Sequence, residues 1–526
     1  MSLLNIPVLA GVSLLLLCLY RFLVYPIFLS PLSKIPTAHP TSAISPLWIL
    51  SLRYGNLENQ TLHRLHTEKG PILRIGPNEL SVNCVDEGIR TIYGGGFEKH
   101  DFYVRLFKNY GVFNMFSTPW GKPHSTRKRM LSNIYSKSVV QSSPTARAAA
   151  KIILFDRFLP ILDASADTGT PINIHELNFG YTMDTFTAYQ FGLNVSTNFI
   201  QDEATRKWWL GLFQGRRSYT FWPQELPGLT SWLRKLGIRI VPKFVDNSNR
   251  DLEAFTLRMC DNAETLLSEK PSQPPETTPA IYSQLREALK KRDSKTDIPI
   301  TEGPQPYPNR LAIASEMLDH NAAAHETSGI TLTYLYHELS QRPASQIQLR
   351  QELLTLSPPL FYSPDSSREL PDPKALDALP LLHAMLMETL RLHAAIPGIQ
   401  PRITPQTPCR LAGYDNIPPN VRVQSSAYLL HRNPEIFPDP EQWKPERWLD
   451  AEPTQLQEMN RWFWAFGSGG RMCIGSNFAM NSMKHAIAAI YTNFTTSIID
   501  DEGIEQEDGY TVGPRGNKLV LKFERV

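Results

Sequence analysis

Between Pro308 and Pro343 the chain holds 34 residues with a single glycine, Gly329, and no proline. Proline interrupts helices because it lacks an amide donor and clashes with the preceding turn, so this segment can form one continuous helix. At 1.5 Å per residue such a helix would be about 50 Å long. A helix of that length must cross the whole body of a domain. The sequence therefore predicts a fold arranged around one long central helix.

The rest of the chain indicates a mainly helical α+β fold with small β-sheets. Hydrophobic residues make up 42% and charged residues 20%, which is typical of a globular protein. Residues Gly70 to Asn83 place two short apolar runs around a Gly-Pro-Asn turn, the pattern of a β-hairpin. We expect a second helix over residues 375–393 and short β-like runs between Pro401 and Val423.

The N-terminus has the length and composition of a transmembrane helix. Its first twenty residues carry no charge, and with the apolar run behind them they are long enough for a bilayer, which takes about 20 apolar residues. A cleaved signal peptide requires a positively charged N-terminal region and an A-x-A-like cleavage site, and neither is present. Basic residues follow the span, so the positive-inside rule places the bulk of the chain in the cytosol. We expect an anchor over residues 1–25, a proline-rich connector that cannot continue the helix over 26–48, and one catalytic domain over 49–526.

Charge and cysteine usage exclude several classes of protein. The formal net charge is only +2, so nothing argues for a nucleic-acid partner. The five cysteines are scattered, odd in number and never spaced as CxxC, which speaks against a disulfide framework and against a structural zinc site. We therefore expect the main body to lie in a reducing compartment.

The segment FGSGGRMCIG, Phe466 to Gly475, combines four glycines, an arginine and a cysteine. A dinucleotide fingerprint G-x-G-x-x-G fails because Met472 stands where the third glycine belongs, and no Walker lysine follows. The G-x-S-x-G nucleophile elbow fails as well. A phosphate cradle is therefore weakly supported, which leaves a buried structural cysteine or a metal ligand.

Cys473 has the surroundings of a metal-binding thiolate. It lies between the glycine-rich turn and the predicted start of a helix, whose free amides and dipole favour a thiolate over a thiol. Glycines permit the close backbone approach that such a turn demands. Arg471 would place a cation beside whatever the sulfur binds, and Phe466 would shield the thiolate from water.

The same segment carries a family resemblance. F-x-x-G-x-R-x-C-x-G is the haem-binding signature of the cytochrome P-450 family, and its fixed positions are all matched here, by Phe466, Gly469, Arg471, Cys473 and Gly475. The flanking FWAFGSGGRMCIGSNFAM is similar to the filamentous-fungal branch. The resemblance implies haem b, iron protoporphyrin IX, as cofactor. It also implies that Cys473 is the axial ligand of the iron and that Phe466 and Arg471 contact the cofactor.

On the predicted long helix, AAAHETS (Ala322 to Ser328) resembles the family's oxygen-activation motif [AG]-G-x-[DE]-T-[TS]. Glu326 and Thr327 match the acid and the alcohol, whereas Ala324 stands where glycine is common, so we expect a smaller distortion of the helix. A threonine inside a helix usually bonds back to a carbonyl. The resemblance nevertheless implies that Glu326 and Thr327 are catalytic and relay protons to bound dioxygen. His325 is expected to form pocket wall or core.

A second group of residues is expected to be structural. Glu388 and Arg391 form the family's E-x-x-R pair, and their i, i+3 spacing places both charges on one helix face. Arg447, in PERW, would complete a buried Glu-Arg-Arg network. Removing one member of a buried ion network leaves an uncompensated charge, which is strongly destabilising.

Two further segments resemble the family's contacts to the haem propionates. His124 and Lys128, one turn apart in PHSTRKRM, resemble the propionate-binding helix, and Arg402 in PGIQPRITP matches a second propionate ligand. The alternative for each is an ordinary surface charge.

The function implied by the resemblance is a haem-thiolate monooxygenase that inserts one atom of O2 into an organic substrate. Electrons would come from NADPH through a membrane-bound NADPH-cytochrome P-450 reductase docking on the cysteine side, with Arg127, Arg129 and Lys484 as basic candidates. The resemblance implies a single-pass protein of the endoplasmic reticulum membrane with its catalytic domain on the cytosolic side.

The substrate is expected to be a lipophilic small molecule, because the candidate pocket segments are apolar and aromatic. Secondary-metabolite biosynthesis is the setting that the fungal resemblance implies. A haem-thiolate isomerase or dehydratase would keep Cys473 without needing Glu326 and Thr327, and a non-enzymatic membrane haem protein is the other alternative. The candidate lining segments are Gly111 to Ser117, Gly211 to Phe221, Ala323 to Thr327 and Ala395 to Ile399.

Overall fold

The computed structural model describes residues 5–270, 272–293, 308–363 and 368–526, and helices dominate it. The helices of the first half are α1 Asn5–Leu19, α2 Leu47–Tyr54, α3 Glu58–Lys69, α4 Phe102–Phe107, α5 Gly121–Leu131, α6 Lys137–Ser142, α7 Pro144–Ile152, α8 Leu159–Thr168, α9 Ile174–Phe191, α10 Glu203–Gly215, α11 Phe221–Glu225 and α12 Pro227–Lys235. Those of the second half are α13 Lys243–Glu269, α14 Ala280–Asp293, α15 Arg310–Ser340, α16 Pro343–Leu353, α17 Pro373–Asp377, α18 Pro380–Leu392, α19 Ala427–Leu430, α20 Glu446–Leu449, α21 Pro453–Trp462 and α22 Ser476–Asn493.

Three small sheets accompany the helices. The largest has the strand order β1-β2-β8-β5-β3, in which only β2 and β8 run parallel. An antiparallel sheet of order β4-β10-β9 and a β6-β7 hairpin complete the set. The strands are β1 Ile72–Gly76, β2 Glu79–Val82, β3 Glu98–Lys99, β4 Ile172–Asn173, β5 Arg402–Ile403, β6 Cys409–Leu411, β7 Tyr414–Ile417, β8 Arg422–Gln424, β9 Phe494–Asp500 and β10 Val520–Arg525. Strands β1 and β2 confirm the predicted hairpin.

Helix α15 confirms the predicted central helix. It runs unbroken for 31 residues, and most of its side chains are buried. It packs closely along α9, where Gly329 faces the ring of Phe179. A Cβ at Gly329 would lie 2.3 Å from that ring, so only glycine permits this approach. The largest apolar core forms around α15, with side chains from α9, α18 and α22.

The N-terminal apolar helix is longer than expected. α1 continues into wider π-helical turns over Tyr20–Leu29, through Pro26. Together they give a span of 23 residues, Pro7–Leu29, that is long and apolar enough to cross a membrane. The expectation that the helix stops at the prolines of the connector is therefore wrong. A proline removes one backbone hydrogen bond rather than all of them, and the wider turns leave space for its ring.

The base of this helix is fixed to the main body through Arg74 in β1. The Arg74 side chain is fully buried, and its guanidinium donates to the carbonyl of Pro26 at 2.7 Å. It also donates to the carbonyls of Pro77 at 2.8 Å and Ala43 at 3.3 Å. Three carbonyl oxygens therefore satisfy the two terminal nitrogens of the buried cation, while its Nε has no partner among the described residues.

The second predicted helix is in fact two. α17 ends at Asp377 and α18 begins at Pro380, so the expected helix over residues 375–393 is broken in the middle. Proline is favoured in the first turn of a helix, where its missing amide has no partner to lose. Pro380 thus starts a new helix that carries Glu388 and Arg391 into the core.

Candidate active site

The segment before α22 holds Cys473 in a tight loop. Gly469–Arg471 form a 3-10 turn, and the Cys473 amide donates to the carbonyl of Phe466 at 2.9 Å. Gly469 has a φ of +68°, and a Cβ there would lie 2.2 Å from the carbonyl oxygen of Tyr93. A residue with a side chain cannot occupy this position without moving the backbone. The loop geometry therefore depends on glycine at 469.

The loop presents the Cys473 sulfur at the start of α22. The residue is accessible to solvent, although protein atoms surround its sulfur on the other sides. The partial loss of hydration raises the pKa of the thiol, while the amides of Gly475 and Ser476 and the charge of Lys128 oppose that rise. The three groups that oppose it all stabilise negative charge on sulfur. The loop is thus suited to present a thiolate to a bound cation.

Lys128, predicted to contact a propionate, donates hydrogen bonds to this loop. Its Nζ donates to the carbonyls of Gly470 at 3.0 Å and Met472 at 2.9 Å. It lies on α5, one turn after His124. Lys128 therefore ties α5 to the cysteine loop and places positive charge near Cys473.

Four basic side chains gather beside the loop, and we call them the cation cluster: Lys99, His124, Arg402 and Arg471. Three of them donate to uncharged oxygens, Arg471 to the carbonyl of Thr118 at 2.7 Å, Arg402 to the Tyr103 hydroxyl at 2.9 Å and Lys99 to the carbonyl of Phe116 at 2.6 Å. Within the described ranges, none of the four forms an ion pair with a carboxylate. The cluster thus carries positive charge that the surrounding residues do not neutralise.

The pKa values in the cation cluster also indicate positive charge without a counter-ion. Burial, with the nearby Arg402, lowers the pKa of Arg471 to about 10. Burial, with Arg471, Lys99 and other cations nearby, lowers the pKa of His124 to about 3. Lys99 is shifted well below its usual pKa for the same two reasons. Each shift means that the charged form lacks a counter-ion, so the cluster suits a ligand with carboxylates.

The residues fit a haem group at this position. The cation cluster can take its two propionates, and Cys473 offers the iron one axial thiolate. Among the described residues no group of three or more His, Cys, Asp or Glu side chains could hold a metal ion without such a macrocycle. Lys99 was missed in the sequence, because nothing in its neighbourhood shows that the short strand β3 pairs it with Arg402.

Helix α15 carries the predicted acid and alcohol next to an accessible stretch of its surface. Ala323 is exposed and Thr327 is half-buried, although the helix around them is buried. The Thr327 hydroxyl donates to the carbonyl of Ala323 at 2.9 Å, the back-bond expected of a threonine inside a helix. α15 stays α-helical through Ala324, which agrees with the small distortion expected from alanine at this position.

Glu326 is paired with an arginine that the sequence did not connect to it. Arg217 lies in a 3-10 turn, Arg217–Tyr219, directly after α10, and its guanidinium forms an ion pair with the Glu326 carboxylate. Burial lowers the pKa of Arg217, while Glu507 opposes that change. The acid of the predicted relay is therefore held by a residue from another lining segment.

His325 is buried in an aromatic part of the core. Its Nδ1 donates to the carbonyl of Asn321 at 2.9 Å, and its ring makes edge contacts with Phe179, Trp209 and Phe213. Burial lowers its pKa to about 3, so the ring is neutral. These edge contacts fix the His325 ring within the core.

Glu388, Arg391 and Arg447 form a buried ion network. Arg391 binds both oxygens of Glu388, with Nε–Oε2 at 2.9 Å and Nη2–Oε1 at 2.7 Å, and both side chains are fully buried. Arg447 Nε adds a contact to Oε1 at 2.9 Å, and Trp448 donates to Oε2 at 2.9 Å. Burial alone would raise the pKa of Glu388, but the two arginines hold it below its usual value. The network thus carries a charged carboxylate in the core.

Two of the three basic residues expected to contact the reductase form ion pairs within the protein. Lys484 is buried and donates to Asp377 at 2.9 Å, and Arg127 pairs with the buried Glu316 at 3.3 Å. Arg129 is exposed, and its side chain contacts only Thr126 within the part of the chain described. The expectation that Lys484 and Arg127 form a docking patch is therefore wrong, because internal carboxylates hold both charges.

Comparison with known proteins agrees with this geometry. The family model described as Cytochrome P450 matches residues 44–521. The cytochrome P450 monooxygenase avaI of Aspergillus versicolor is 28% identical over 441 residues, which cover 81% of this chain and 95% of the relative. The cytochrome P450 monooxygenase aflU of Aspergillus parasiticus is 27% identical over 481 residues, 90% of this chain and 88% of the relative. The cytochrome P450 monooxygenase FGM1 of Gibberella zeae is 24% identical over 476 residues, which cover 88% of this chain and 87% of the relative. Because the family match extends over most of the sequence and includes both the cysteine loop and α15, this chain belongs to the cytochrome P450 family.

Proposed function

We propose that the protein is a haem-thiolate monooxygenase that inserts one oxygen atom of O2 into a lipophilic small molecule, in the biosynthesis of a secondary metabolite. The observation that carries the proposal is that the Cys473 loop lies beside the cation cluster, whose positive charge no carboxylate of the described residues neutralises. A thiolate next to unpaired cations fits an iron macrocycle that carries two carboxylates. Three relatives whose names include cytochrome P450 monooxygenase support the reaction class.

Haem b is the cofactor that these residues would hold. Cys473 would be the axial ligand, with Phe466 beside the loop, and Arg471, Arg402, His124 and Lys99 would take the propionates. When bound, the haem supplies the activation of dioxygen, and an axial thiolate favours cleavage of the O–O bond. Lys128 holds the loop and is a further candidate for a propionate contact.

Glu326 and Thr327 handle protons in this proposal. The Thr327 hydroxyl donates a hydrogen bond to the Ala323 carbonyl, so its oxygen lone pairs remain free to accept a further hydrogen bond. The Glu326 carboxylate is nine-tenths buried, and Arg217 is paired with it. To pass on a proton, the Glu326 carboxylate would first have to separate from Arg217 and take up a proton from water, and Thr327 Oγ1 would accept the hydrogen bond that orients it.

The electrons would come from NADPH through NADPH-cytochrome P-450 reductase. The protein would lie in the endoplasmic reticulum membrane as a single-pass protein with its catalytic domain in the cytosol. The anchor, expected over residues 1–25, would extend to Leu29, the rest of the connector would run to residue 48, and residues 49–526 would form the catalytic domain. The apolar span Pro7–Leu29 supports the membrane attachment. Alkaline extraction of membranes from a cell that expresses the full chain would test it, because only an integral protein stays in the pellet.

The decisive experiment concerns Cys473. The reduced wild-type protein with carbon monoxide should show the red-shifted Soret band of a thiolate ligand, and Cys473→Ala should lose it. Cys409→Ala is the matched control, because Cys409 lies in β6, far from the loop in sequence, and this variant should keep the band. An unchanged spectrum in Cys473→Ala would overturn the ligand assignment.

A second measurement separates the monooxygenase from its alternatives. Together with the reductase, the protein should consume NADPH only in the presence of dioxygen, and Cys473→Ala should abolish that consumption. A haem-thiolate isomerase or dehydratase would transform its substrate without net use of NADPH. A non-enzymatic haem protein would show the Soret band but no turnover.

A further inference from the structure

Tyr135, between α5 and α6, and His320, on α15, form a hydrogen-bonded pair that the proposed mechanism does not use. The Tyr135 hydroxyl and His320 Nδ1 are 2.9 Å apart, and the two residues are only 2% and 6% exposed. Their rings meet edge to face, with centroids 5.6 Å apart. The hydrogen bond therefore joins a phenol and an imidazole away from bulk water and in one fixed orientation.

Glu316 determines which member of this pair is the donor. His320 Nε2 lies 3.8 Å from Glu316 Oε1 and makes no hydrogen bond with any described residue. Burial raises the pKa of Glu316, whereas Arg127 at 3.3 Å and the Met115 amide at 2.9 Å stabilise the charged carboxylate. A carboxylate favours the imidazole tautomer that has its hydrogen on the nearer nitrogen, which is Nε2. Nδ1 is then the acceptor, and the Tyr135 hydroxyl donates to it.

Both members of the pair are neutral near neutral pH. Burial raises the pKa of Tyr135 well above its usual value, so the phenol keeps its proton. Burial lowers the pKa of His320 to about 4, so the Nδ1 lone pair stays available. If Tyr135 lost an electron and kept its proton, a buried cation without a partner would remain, which is unfavourable. His320 removes that cost if it takes the phenolic proton as the electron leaves.

The pair lies next to the segment that carries Cys473. The Tyr135 carbonyl accepts from Asn477 Nδ2 at 3.0 Å, and Asn477 is in the first turn of α22. Asn477 is four residues after Cys473, so the two Cα atoms are at most about 14 Å apart. Tyr135 is also within electrostatic reach of Cys473. An oxidant bound at Cys473 is thus near enough to draw an electron from Tyr135.

Tyr189 offers a comparison inside the same aromatic cluster. It is 1% exposed, and its ring stacks on that of Phe478 in α22 with centroids 5.2 Å apart. Its hydroxyl donates to the carbonyl of Ile134 at 3.1 Å. A carbonyl oxygen accepts a hydrogen bond but takes up no proton near neutral pH, whereas an imidazole does. Tyr189 therefore lies close to α22 without a base for its proton, and Tyr135 has both.

We propose that Tyr135 is a redox-active tyrosine that gives one electron to the bound haem when the haem has been oxidised beyond its ferric state and no substrate is present. The O–H bond of Tyr135 breaks, and its proton moves to His320 Nδ1. The electron reduces the haem by one equivalent, which leaves a neutral phenoxyl radical and an imidazolium ion near Glu316. One electron from a reductant and the proton from His320 then restore the tyrosine. This inference rests on the proposed function, because the haem is the oxidant.

Such a donor would protect the cysteine loop. A thiolate is readily oxidised to sulfenic acid and, irreversibly, to higher acids, and Cys473 would then no longer bind the iron. An electron from Tyr135 removes an oxidising equivalent that would otherwise reach the sulfur. The radical is then held on a buried ring, and the Glu316 carboxylate stabilises the imidazolium ion beside it.

The test generates the oxidant in the purified full-length holoenzyme without substrate. The ferric protein is mixed with meta-chloroperoxybenzoic acid, a peracid that removes two electrons from haem, frozen within milliseconds and measured by EPR. Ring-deuterated tyrosine identifies a tyrosyl signal. Pulsed EPR of protein that contains histidine labelled with the heavier nitrogen isotope shows whether the radical is hydrogen-bonded to an imidazole. The variants are Tyr135→Phe and His320→Gln, with Tyr189→Phe as the matched control.

The wild type should form a tyrosyl radical that is coupled to a histidine nitrogen. Tyr135→Phe should lose this radical, and Tyr189→Phe should keep the wild-type yield. The glutamine amide in His320→Gln takes up no proton, so this variant should lower the radical yield at least about tenfold, as expected when a positioned base is removed. An equal signal in Tyr135→Phe, or a wild-type radical without histidine coupling, would overturn the proposal.

The carbon monoxide spectrum keeps this inference separate from the proposed function. Each protein is first checked for haem content and for that spectrum. If wild type lacks the thiolate spectrum, the proposed function fails and Tyr135 loses its oxidant with it. If the spectrum is present but no tyrosyl radical forms, only the redox role of Tyr135 fails. If Tyr135→Phe does not bind haem, the histidine coupling in the wild type decides, because it reports the hydrogen bond between Tyr135 and His320 directly.

Discussion

Lys99 stands directly opposite Arg402 across the antiparallel strands β3 and β5, and both side chains enter the cation cluster beside Cys473. Each of these strands is only two residues long. The pairing nevertheless brings together two cations that are about 300 positions apart in the sequence. Their shared lack of a carboxylate partner is the strongest sign of a dianionic ligand in the fold.

Replacing Lys99 by methionine should weaken the hold on haem. The substitution removes one charged donor from the cation cluster, and a hydrogen bond to a charged group contributes about 1.5–3 kcal/mol. We therefore expect haem to leave the variant at least about tenfold faster, measured as transfer to apomyoglobin. Lys122→Met, at an exposed position on α5, should leave the rate unchanged. Equal rates for Lys99→Met and wild type would remove Lys99 from the proposed site.

The two neighbouring glycines 469 and 470 should respond differently to alanine. A Cβ at Gly469 would meet the Tyr93 carbonyl oxygen at 2.2 Å, whereas one at Gly470 would have nothing within 4 Å. Gly469→Ala must displace the loop and should lower the fraction of protein that carries haem, measured as the Soret to protein absorbance ratio. Gly470→Ala should retain the wild-type ratio. A normal ratio in Gly469→Ala would contradict the loop geometry.

Glu225 should contribute to stability in a pH-dependent way. It pairs with Arg53 at 3.0 Å and Arg422 at 2.7 Å, and although burial would raise its pKa, the two arginines lower it to about 2. A lowered pKa means that the contribution is present above the unfolded value of about 4.5 and is lost as pH falls toward 2. Its full size is about 3 kcal/mol.

The measurement is the difference in Tm between wild type and Glu225→Gln. That difference should be large at neutral pH and should shrink as the pH falls below about 4.5, because wild type then loses the same ion pairs. Glu435→Gln, at an exposed position, is the control and should show no difference at either pH. A constant difference across the acid range would show that the pairs with Arg53 and Arg422 are not responsible.

Thr327→Ala should uncouple NADPH consumption from product formation. A positioned proton-transfer group contributes about a hundredfold or more, so the variant should release more hydrogen peroxide for each NADPH consumed. Thr331→Ala is the matched control, since Thr331 makes the same back-bond one turn later at 2.9 Å but is buried in the core. The ratio of hydrogen peroxide released to NADPH consumed is measured with a lipophilic probe that binds the wild-type holoenzyme. Similar ratios in both variants would argue against a special role for Thr327.

The features predictable from the sequence are those carried by residues that are close together in it. The surroundings of Cys473 come from a single run, Phe466 to Gly475, and the pair Glu388–Arg391 lies on one helical turn. The helix from Pro308 to Pro343 was predictable because proline is absent between them. In each case the physical constraint acts within a few residues or excludes one residue type.

Other features depend on contacts between distant segments. Glu326 meets Arg217 from a turn more than a hundred residues earlier, and Lys99 meets Arg402 through a sheet. Lys484 resembled a surface charge until its contact with Asp377 was visible. The effect of a proline on a helix was also ambiguous, since Pro26 lies inside a helix and Pro380 begins one. The helix propensity of proline is the same at both positions, so the packing around each proline decides the outcome.

The contact between Arg74 and Pro26 has a practical consequence for the preparation of a soluble version of the protein. Removal of the apolar helix is the obvious route to higher expression, and a cut just before Ser30 would be convenient. That cut would also remove the Pro26 carbonyl that accepts from the buried Arg74 guanidinium at 2.7 Å. A version that begins a few residues before Pro26 keeps the acceptor, removes most of the apolar surface and is the better starting point for crystallisation.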